Sequence, residues 1–204
     1  MALTLVGLVV LLWAERADHF ILRSVSKPVA SLGFLLTAWA QLSAGTYGRR
    51  ILLALALCAL GDLLLIPHDE RAFRAGIAAF ALGHLGYLAA FFTRGPDPWV
   101  SLLGVMFFGA VGYGVWRVLA PSVGRPLRGP VQGYIAIISC MTGTAFAVAM
   151  KGGLVLGVAA LLFFVSDLSV ARDAFIKRAF VNRAWGLPTY YASQLMFAIT
   201  AGQS

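Results

Sequence analysis

The chain has 204 residues, of which 60% are hydrophobic and only 12% are charged, and its mean hydropathy is +0.86. Because a water-soluble domain carries about 25% charged residues, this composition excludes a soluble globular protein and indicates an integral membrane protein. The formal net charge of +8 does not indicate a nucleic-acid partner, since the basic residues are scattered through loops without an aromatic-interleaved basic patch.

The apolar segments predict an all-α fold, a bundle of eight transmembrane helices that forms a single domain over residues 1–204. Apart from the first, which is short, each segment is close to the roughly 20 residues that cross a bilayer, and none alternates in the manner of a β-barrel strand. The polar segment 15–25 is interpreted as an interfacial amphipathic stretch. Pro28 and Pro188 are expected in the first turns of their helices, where proline is tolerated. The predicted helices cover residues 1–14, 26–43, 50–66, 73–92, 99–119, 128–150, 152–172 and 185–202.

The lysines and arginines favour one orientation of this bundle. The odd-numbered loops hold twelve of them, the even-numbered loops hold four, and both tails hold none. Positive charge concentrates on the cytoplasmic side of membrane proteins. We therefore expect a protein of the bacterial inner membrane with both termini on the non-cytoplasmic side.

Two aspartates, Asp62 and Asp167, lie alone inside long apolar runs. A charged side chain at the centre of a bilayer costs about 2.5 kcal/mol or more, so such residues indicate a functional site. In a purely structural alternative, each carboxylate accepts hydrogen bonds from hydroxyl groups or forms an ion pair, and so holds packed helices together. The functional alternative is an acid–base pair, in which one carboxyl stays protonated and the other stays ionised. The remaining acidic residues all lie in or beside polar breaks: Glu15, Asp18, Asp69, Glu70, Asp97 and Asp173.

Further polar residues are expected near the two aspartates, in the inner half of the bilayer. Lys27 is open to three interpretations: a lysine that snorkels to the interface, a ligand of a lipid phosphate, or a partner of an aspartate. His84 is the single histidine inside a predicted span, so neither a metal site nor any cofactor is expected. The candidate substrate-binding residues are Lys27, His84, Tyr87, Gln132, Tyr134, Tyr190, Tyr191 and Gln194.

The two aspartates also occur in similar local sequences. Gly61-Asp62-Leu63 and Ser166-Asp167-Leu168 lie on predicted helices four spans apart. Internal repeats of this kind are common in membrane proteins. A parallel duplication of four helices would produce this spacing, and two matching positions leave it as a hypothesis.

Five motifs in order resemble the YhhN-type lysoplasmalogenase family of polytopic membrane proteins, over predicted helices 2 to 8. The resemblance implies an eight-helix fold that hydrolyses the vinyl-ether bond of lysoplasmalogen to a fatty aldehyde and glycerophosphoethanolamine or glycerophosphocholine. It further implies a lysophospholipid substrate, contact with membrane lipids and no cofactor. In this interpretation Asp62 and Asp167 are the acid–base pair, with their individual roles open, and Lys27 is the candidate for the phosphate. The motifs are Lys27-Pro28, Gly61-Asp62, Phe73-x-x-Gly76-x-x-x-Phe80-x-x-x-His84-x-x-Tyr87, Phe163-x-x-Ser166-Asp167 and Tyr190-Tyr191-x-x-Gln194.

Two other classes of protein would also use buried carboxylates. A proton-coupled transporter needs them for proton relays, although the sequence has no evident inverted repeat or pair of broken helices. A lipid-binding protein without catalytic activity is the other alternative. Turnover of substrate separates the hydrolase from both.

Overall fold

The computed structural model describes residues 1–67 and 69–203, and over these ranges its regular secondary structure consists of eight α-helices. Each predicted helix overlaps one observed helix, so the all-helical fold is confirmed. The helices are α1 (Ala2–Arg16), α2 (Phe20–Gln41), α3 (Thr46–Leu64), α4 (Glu70–Phe92), α5 (Pro98–Leu119), α6 (Arg125–Ala149), α7 (Leu154–Phe175) and α8 (Phe180–Thr200).

Short polar side chains fix several helix starts. Asp69 accepts a hydrogen bond from the backbone N–H of Ala72 at 2.9 Å, which caps α4. Asp97 accepts from the N–H groups of Trp99 and Val100, and Pro98 follows it at the first helical position. These contacts satisfy backbone donors that a helix otherwise leaves unpaired at its N-terminus.

The segment 15–25 is the clearest correction to the sequence-based prediction. It is not a separate interfacial stretch, because it contains the end of α1, a short turn with Asp18 at φ 50°, and the beginning of α2. Since α2 and α8 both begin earlier than predicted, Pro28 and Pro188 are each the ninth residue of their helix. The expectation of two first-turn prolines is therefore wrong. A proline inside a helix removes one backbone hydrogen bond and bends the helix.

Among the described residues, five helices are long and apolar enough to cross a membrane by length and composition, namely α2, α4, α5, α6 and α7. The first helix, α1, has 15 residues. The last, α8, packs against α1, α2, α3 and α7 and buries several polar side chains, including Asn182, Ser193 and Gln194. A helix enclosed by its neighbours can carry such residues, because they find partners inside the bundle rather than in lipid.

Successive helices form four hairpins: α1 with α2, α3 with α4, α5 with α6, and α7 with α8. Across these hairpins α2 packs on α8 and α3, whereas α6 packs on α4 and α7. If each helix number is shifted by four, counting on from α8 to α1, the contact of α2 with α8 corresponds to that of α6 with α4. The contact of α2 with α3 then corresponds to that of α6 with α7. This packing is consistent with the hypothesis of a four-helix duplication. It also brings α3 and α7, which carry the two aspartates, to one cavity.

Candidate active site

A cavity of about 590 Å³ is lined by both of the aspartates that lie in apolar runs. Asp62 and Asp167 line its inner part together with the rings of Phe80, Phe164 and Tyr190. Apolar side chains of α5, α6 and α7 extend the lining on one side. Charged residues from the ends of helices complete it: Glu15, Arg23, Asp69, Glu70, Asp173, Arg178 and Arg183. A largely apolar pocket of this size with a few polar groups is typical of a small-molecule site.

Asp62 is held by three groups from two other helices. Its Oδ2 atom accepts hydrogen bonds from Ser31 Oγ at 2.7 Å and from Tyr190 OH at 2.8 Å. Lys27 Nζ lies 3.5 Å from Oδ1, and the Asp62 side chain is 3% exposed. Lys27 and Ser31 lie four residues apart, so they share one face of α2. Two hydroxyl donors and one cation hold this carboxylate in place.

Asp167 has different partners and more contact with the cavity. Its Oδ2 accepts a hydrogen bond from Tyr134 OH at 2.7 Å, and His84 Nε2 lies 3.3 Å from the same oxygen. Tyr134 OH and His84 Nε2 are themselves 2.9 Å apart. The Asp167 side chain is 17% exposed. No lysine or arginine pairs with it in the described part of the chain.

The His84 ring is fully buried, and its Nδ1 atom has no hydrogen-bond partner among the described residues. A proton on Nδ1 would be a buried donor without an acceptor, which is rare in folded proteins. The contacts therefore fit a neutral ring that carries its proton on Nε2. In that form His84 supplies a hydrogen bond to the Asp167 cluster without a positive charge.

Aromatic rings separate the two carboxylates. The centroid of the Phe163 ring is 4.4 Å from that of His84 and 5.5 Å from that of Tyr190. Phe80 packs edge-on against Phe163 and Tyr190, at 6.3 and 5.8 Å. Each carboxylate therefore has its own hydrogen-bond network, and in the described structure neither bonds to the other.

Three other predicted residues lie behind the cavity and do not line it. Tyr87 donates a 2.6 Å hydrogen bond to Gln194 Oε1, and both side chains are completely buried. Tyr191 OH donates to the backbone carbonyl of Lys27 at 3.4 Å. These contacts support the helices that carry Lys27 and Tyr190. Gln132 is exposed and lies outside the lining, so the structure does not bring it to the site.

Sequence reasoning missed several residues of the site. Ser31 contacts Asp62 directly, and its position four residues after Lys27 was the available signal. A network of charged side chains at the opening of the cavity was also missed, because the segment 15–25 was interpreted as interfacial. There Glu15 accepts from Arg183 at 2.7 Å and lies 3.5 Å from Arg23, and Arg183 also bonds to Asp173 at 3.1 Å.

Within the described residues, no group of three or more His, Cys, Asp or Glu side chains is arranged to hold a metal ion. The arrangement instead offers two separate carboxyl groups and the phenolic hydroxyls of Tyr134 and Tyr190 around an apolar space, with the imidazole of His84 behind Asp167. Such a site can transfer protons and stabilise a developing positive charge.

Comparison with known proteins gives a consistent result. The YhhN family matches residues 22–201 of the chain. The lysoplasmalogenase TMEM86A of Bos taurus is 34% identical over 180 residues, which cover 85% of this chain and 70% of that protein. The lysoplasmalogenase TMEM86B of Sus scrofa is 34% identical over 181 residues, covering 87% and 73%. A lysoplasmalogenase of Mycobacterium bovis is 32% identical over 203 residues, covering 93% and 73%. No solved structure matches the chain.

Proposed function

The chain belongs to the YhhN family, and we propose that it is a membrane-embedded lysoplasmalogenase. It hydrolyses the vinyl-ether bond of an alkenyl lysophospholipid to a fatty aldehyde and glycerophosphoethanolamine or glycerophosphocholine. The observation that carries this proposal is an apolar cavity lined by two separately supported carboxyl groups, Asp62 and Asp167.

Vinyl-ether hydrolysis begins with a proton, not with a nucleophile. The proton goes to the alkene carbon that is further from the ether oxygen, and the adjacent carbon becomes part of an oxocarbenium ion. Water then adds to that ion, and the resulting hemiacetal collapses to the aldehyde and the glycerol hydroxyl. The reaction consumes one water molecule, and a positioned acid or base typically contributes about 10²–10⁴-fold.

The electrostatic surroundings favour Asp167 as the acid. Asp62 has Lys27 beside it, so its negative charge is balanced inside an apolar site. Asp167 has no such cation in the described part of the chain, and its side chain is 17% exposed against 3% for Asp62. We therefore assign the proton donor to Asp167, which has more contact with the cavity.

Asp62 is the anion at the start of the cycle. Its carboxylate stabilises the oxocarbenium ion across the cavity and accepts a proton from the attacking water. When the hemiacetal collapses, its hydroxyl proton returns to Asp167, and the proton held by Asp62 goes to the departing glycerol oxygen, so both carboxyl groups regain their starting states. Tyr134 and His84 orient Asp167, while Ser31 and Tyr190 orient Asp62.

The shape of the cavity suits a lipid with one chain. The apolar side formed by α5, α6 and α7 accommodates the hydrocarbon, and the charged mouth accommodates the polar head. In this proposal all eight helices span the bacterial inner membrane, with both termini on the non-cytoplasmic side. The substrate enters from the inner leaflet, where the basic loops lie.

The direct test uses the purified protein and three lysophospholipids that differ only in the bond at the first glycerol carbon. We expect aldehyde from the vinyl-ether lipid and no product from the saturated ether or the ester. Folded protein that releases no aldehyde, or that cleaves the ester equally well, would contradict the proposal. In the first of these cases, proton flux in liposomes would test the alternative of a proton-coupled transporter.

A further inference from the structure

The charges that line the cavity are mostly paired with one another. Lys27 pairs with Asp62 deep inside. At the mouth, Arg183 bonds to both Glu15 and Asp173. Lys27 is thus committed to a carboxylate, and its side chain is only 13% exposed. The Lys27 ammonium group is therefore poorly placed to bind the substrate phosphate, which is the role that the sequence analysis proposed for it.

Arg178 differs from these cations. It is exposed, and it lines both the main cavity and a second cleft at the mouth. No carboxylate oxygen lies within 4.0 Å of its guanidinium group in the part of the chain that the structure describes. Its five N–H donors are therefore available to an anion in the cavity.

The turn that carries Arg178 is held on both sides. Asp173 Oδ1 accepts hydrogen bonds from the backbone N–H of Ala179 at 2.9 Å and from Asn182 Nδ2 at 3.0 Å. Asn182 Nδ2 also donates to the carbonyl of Lys177 at 2.7 Å. Because the residues before and after Arg178 are both fixed, its side chain projects from an ordered backbone. Such preorganisation reduces the entropic cost of binding.

The spacing between Arg178 and the reacting carboxyl suits a glycerophospholipid. Asp167 and the end of α7 at Phe175 are eight residues apart, which is about 12 Å along a helix axis. Arg178 lies three residues beyond the end of α7 and lines the same cavity as Asp167. The three-carbon glycerol of the substrate correspondingly separates its vinyl ether from its phosphate.

We propose that Arg178 binds the phosphate of the lysophospholipid head group and thereby sets the depth at which the vinyl ether meets Asp167. This inference rests on the proposed function. The guanidinium forms a charge-assisted, bidentate pair with two phosphate oxygens. Substrate selection by this residue therefore depends on the phosphate and not on the hydrocarbon chain.

The test compares Arg178→Gln with the wild type on two substrates, an alkenyl lysophospholipid and the corresponding alkenylglycerol, which has no phosphate. We expect KM for the phospholipid to rise on the order of 10- to 100-fold, the usual effect of losing a charged hydrogen-bond partner. KM for the alkenylglycerol should be the same for both proteins. Arg178→Lys should give a smaller rise in KM than Arg178→Gln, since lysine keeps the positive charge but lacks the planar guanidinium that binds two oxygens at once.

Lys177→Gln is the matched control, because Lys177 is the adjacent exposed cation and does not line the cavity. It should leave both KM values unchanged. An equal rise of KM for both substrates in Arg178→Gln, or an equal effect of Lys177→Gln, would overturn the inference. Inorganic phosphate at high concentration should raise the KM of the wild type for the phospholipid, and Arg178→Gln should remove that effect. Competition by phosphate that is unchanged in Arg178→Gln would place the phosphate site elsewhere and would also overturn the inference.

These outcomes are distinct from a failure of the proposed function. If the wild type released no aldehyde from either substrate, the function itself would be wrong. If the wild type released aldehyde and the substitution of Arg178 had no phosphate-dependent effect, only the head-group assignment would be wrong.

Discussion

Asp62 and Asp167 lie at corresponding places in the bundle, yet their surroundings differ in charge. Asp62 on α3 is met by side chains from α2 and α8, and Asp167 on α7 is met by side chains from α6 and α4. A shift of each helix number by four, counting on from α8 to α1, turns α3, α2 and α8 into α7, α6 and α4. At the first centre the partners include Lys27, whereas at the second they include the neutral ring of His84.

The comparison shows how one structural scheme can support two chemical roles. Two carboxyl groups line one cavity, and in the proposed mechanism their different partners assign them different roles. A nearby cation stabilises the ionised form, and an apolar setting without a cation favours the neutral form. The following predictions test this division between the two centres.

The largest effect is expected from removal of either carboxyl group. Asp167→Asn keeps the shape of the side chain but cannot supply a proton, so kcat should fall by about 10²–10⁴-fold. Asp62→Asn should lower kcat within the same range, because the stabilising anion is lost. The measurement is aldehyde release per folded protein, with folding checked by size-exclusion chromatography. Unchanged turnover in both variants would refute the proposed mechanism.

A second large effect concerns stability and should occur only at the Asp62 centre. Lys27→Met leaves Asp62 as a buried charge without a partner, which typically costs about 3–5 kcal/mol. The double variant Lys27→Met/Asp62→Asn should recover most of that loss, since it removes both charges together. Thermal unfolding in detergent measures both variants. If the double variant were no more stable than Lys27→Met, the ion pair would not be the cause.

The two tyrosines that donate to the carboxylates should differ in importance. Tyr134→Phe leaves Asp167 with His84 alone, whereas Tyr190→Phe leaves Asp62 with both Lys27 and Ser31. We therefore expect a loss in kcat of roughly tenfold or more for Tyr134→Phe, the usual effect of one charged hydrogen bond. The loss for Tyr190→Phe should be smaller. Steady-state kinetics of both variants test this order, and the reverse order would contradict the comparison.

The smallest effect on catalysis is expected behind the cavity. Tyr87→Phe removes the donor to Gln194 Oε1 and leaves a buried acceptor unpaired, which costs about 1–3 kcal/mol of stability. Its kcat per folded protein should stay near that of the wild type, because neither side chain lines the cavity. A loss of activity as large as that of Tyr134→Phe would instead assign this pair to the site.

The sequence was sufficient to predict the helices and the two aspartates. Long apolar runs define the helices, and an aspartate isolated in such a run is recognisable without a structure. The start of α2 was missed because Arg23 and its neighbours look like a polar loop. Arg23 is in fact buried against Glu15, so the helix continues through a charged segment.

Position along each helix could be estimated from the sequence, but the direction in which a side chain points around the helix was not used. Gln132 and Tyr134 were both selected for their depth. They are two residues apart, about 200° around a helix, so they cannot face the same cavity. In the structure Tyr134 bonds to Asp167 and Gln132 is exposed. Tyr190 and Tyr191 also face different directions. Tyr190 lines the cavity and bonds to Asp62, whereas Tyr191 bonds to a backbone carbonyl of α2.

Deuterium labelling tests the central claim, proton transfer from a cavity carboxyl to carbon, most directly. The wild type would hydrolyse an alkenyl lysophospholipid in D₂O, with the aldehyde trapped at once and examined by mass spectrometry. The account predicts one deuterium on the carbon next to the carbonyl, and no labelled product from Asp167→Asn on the same time scale. Aldehyde without deuterium at that carbon, or equal labelling by Asp167→Asn, would contradict it.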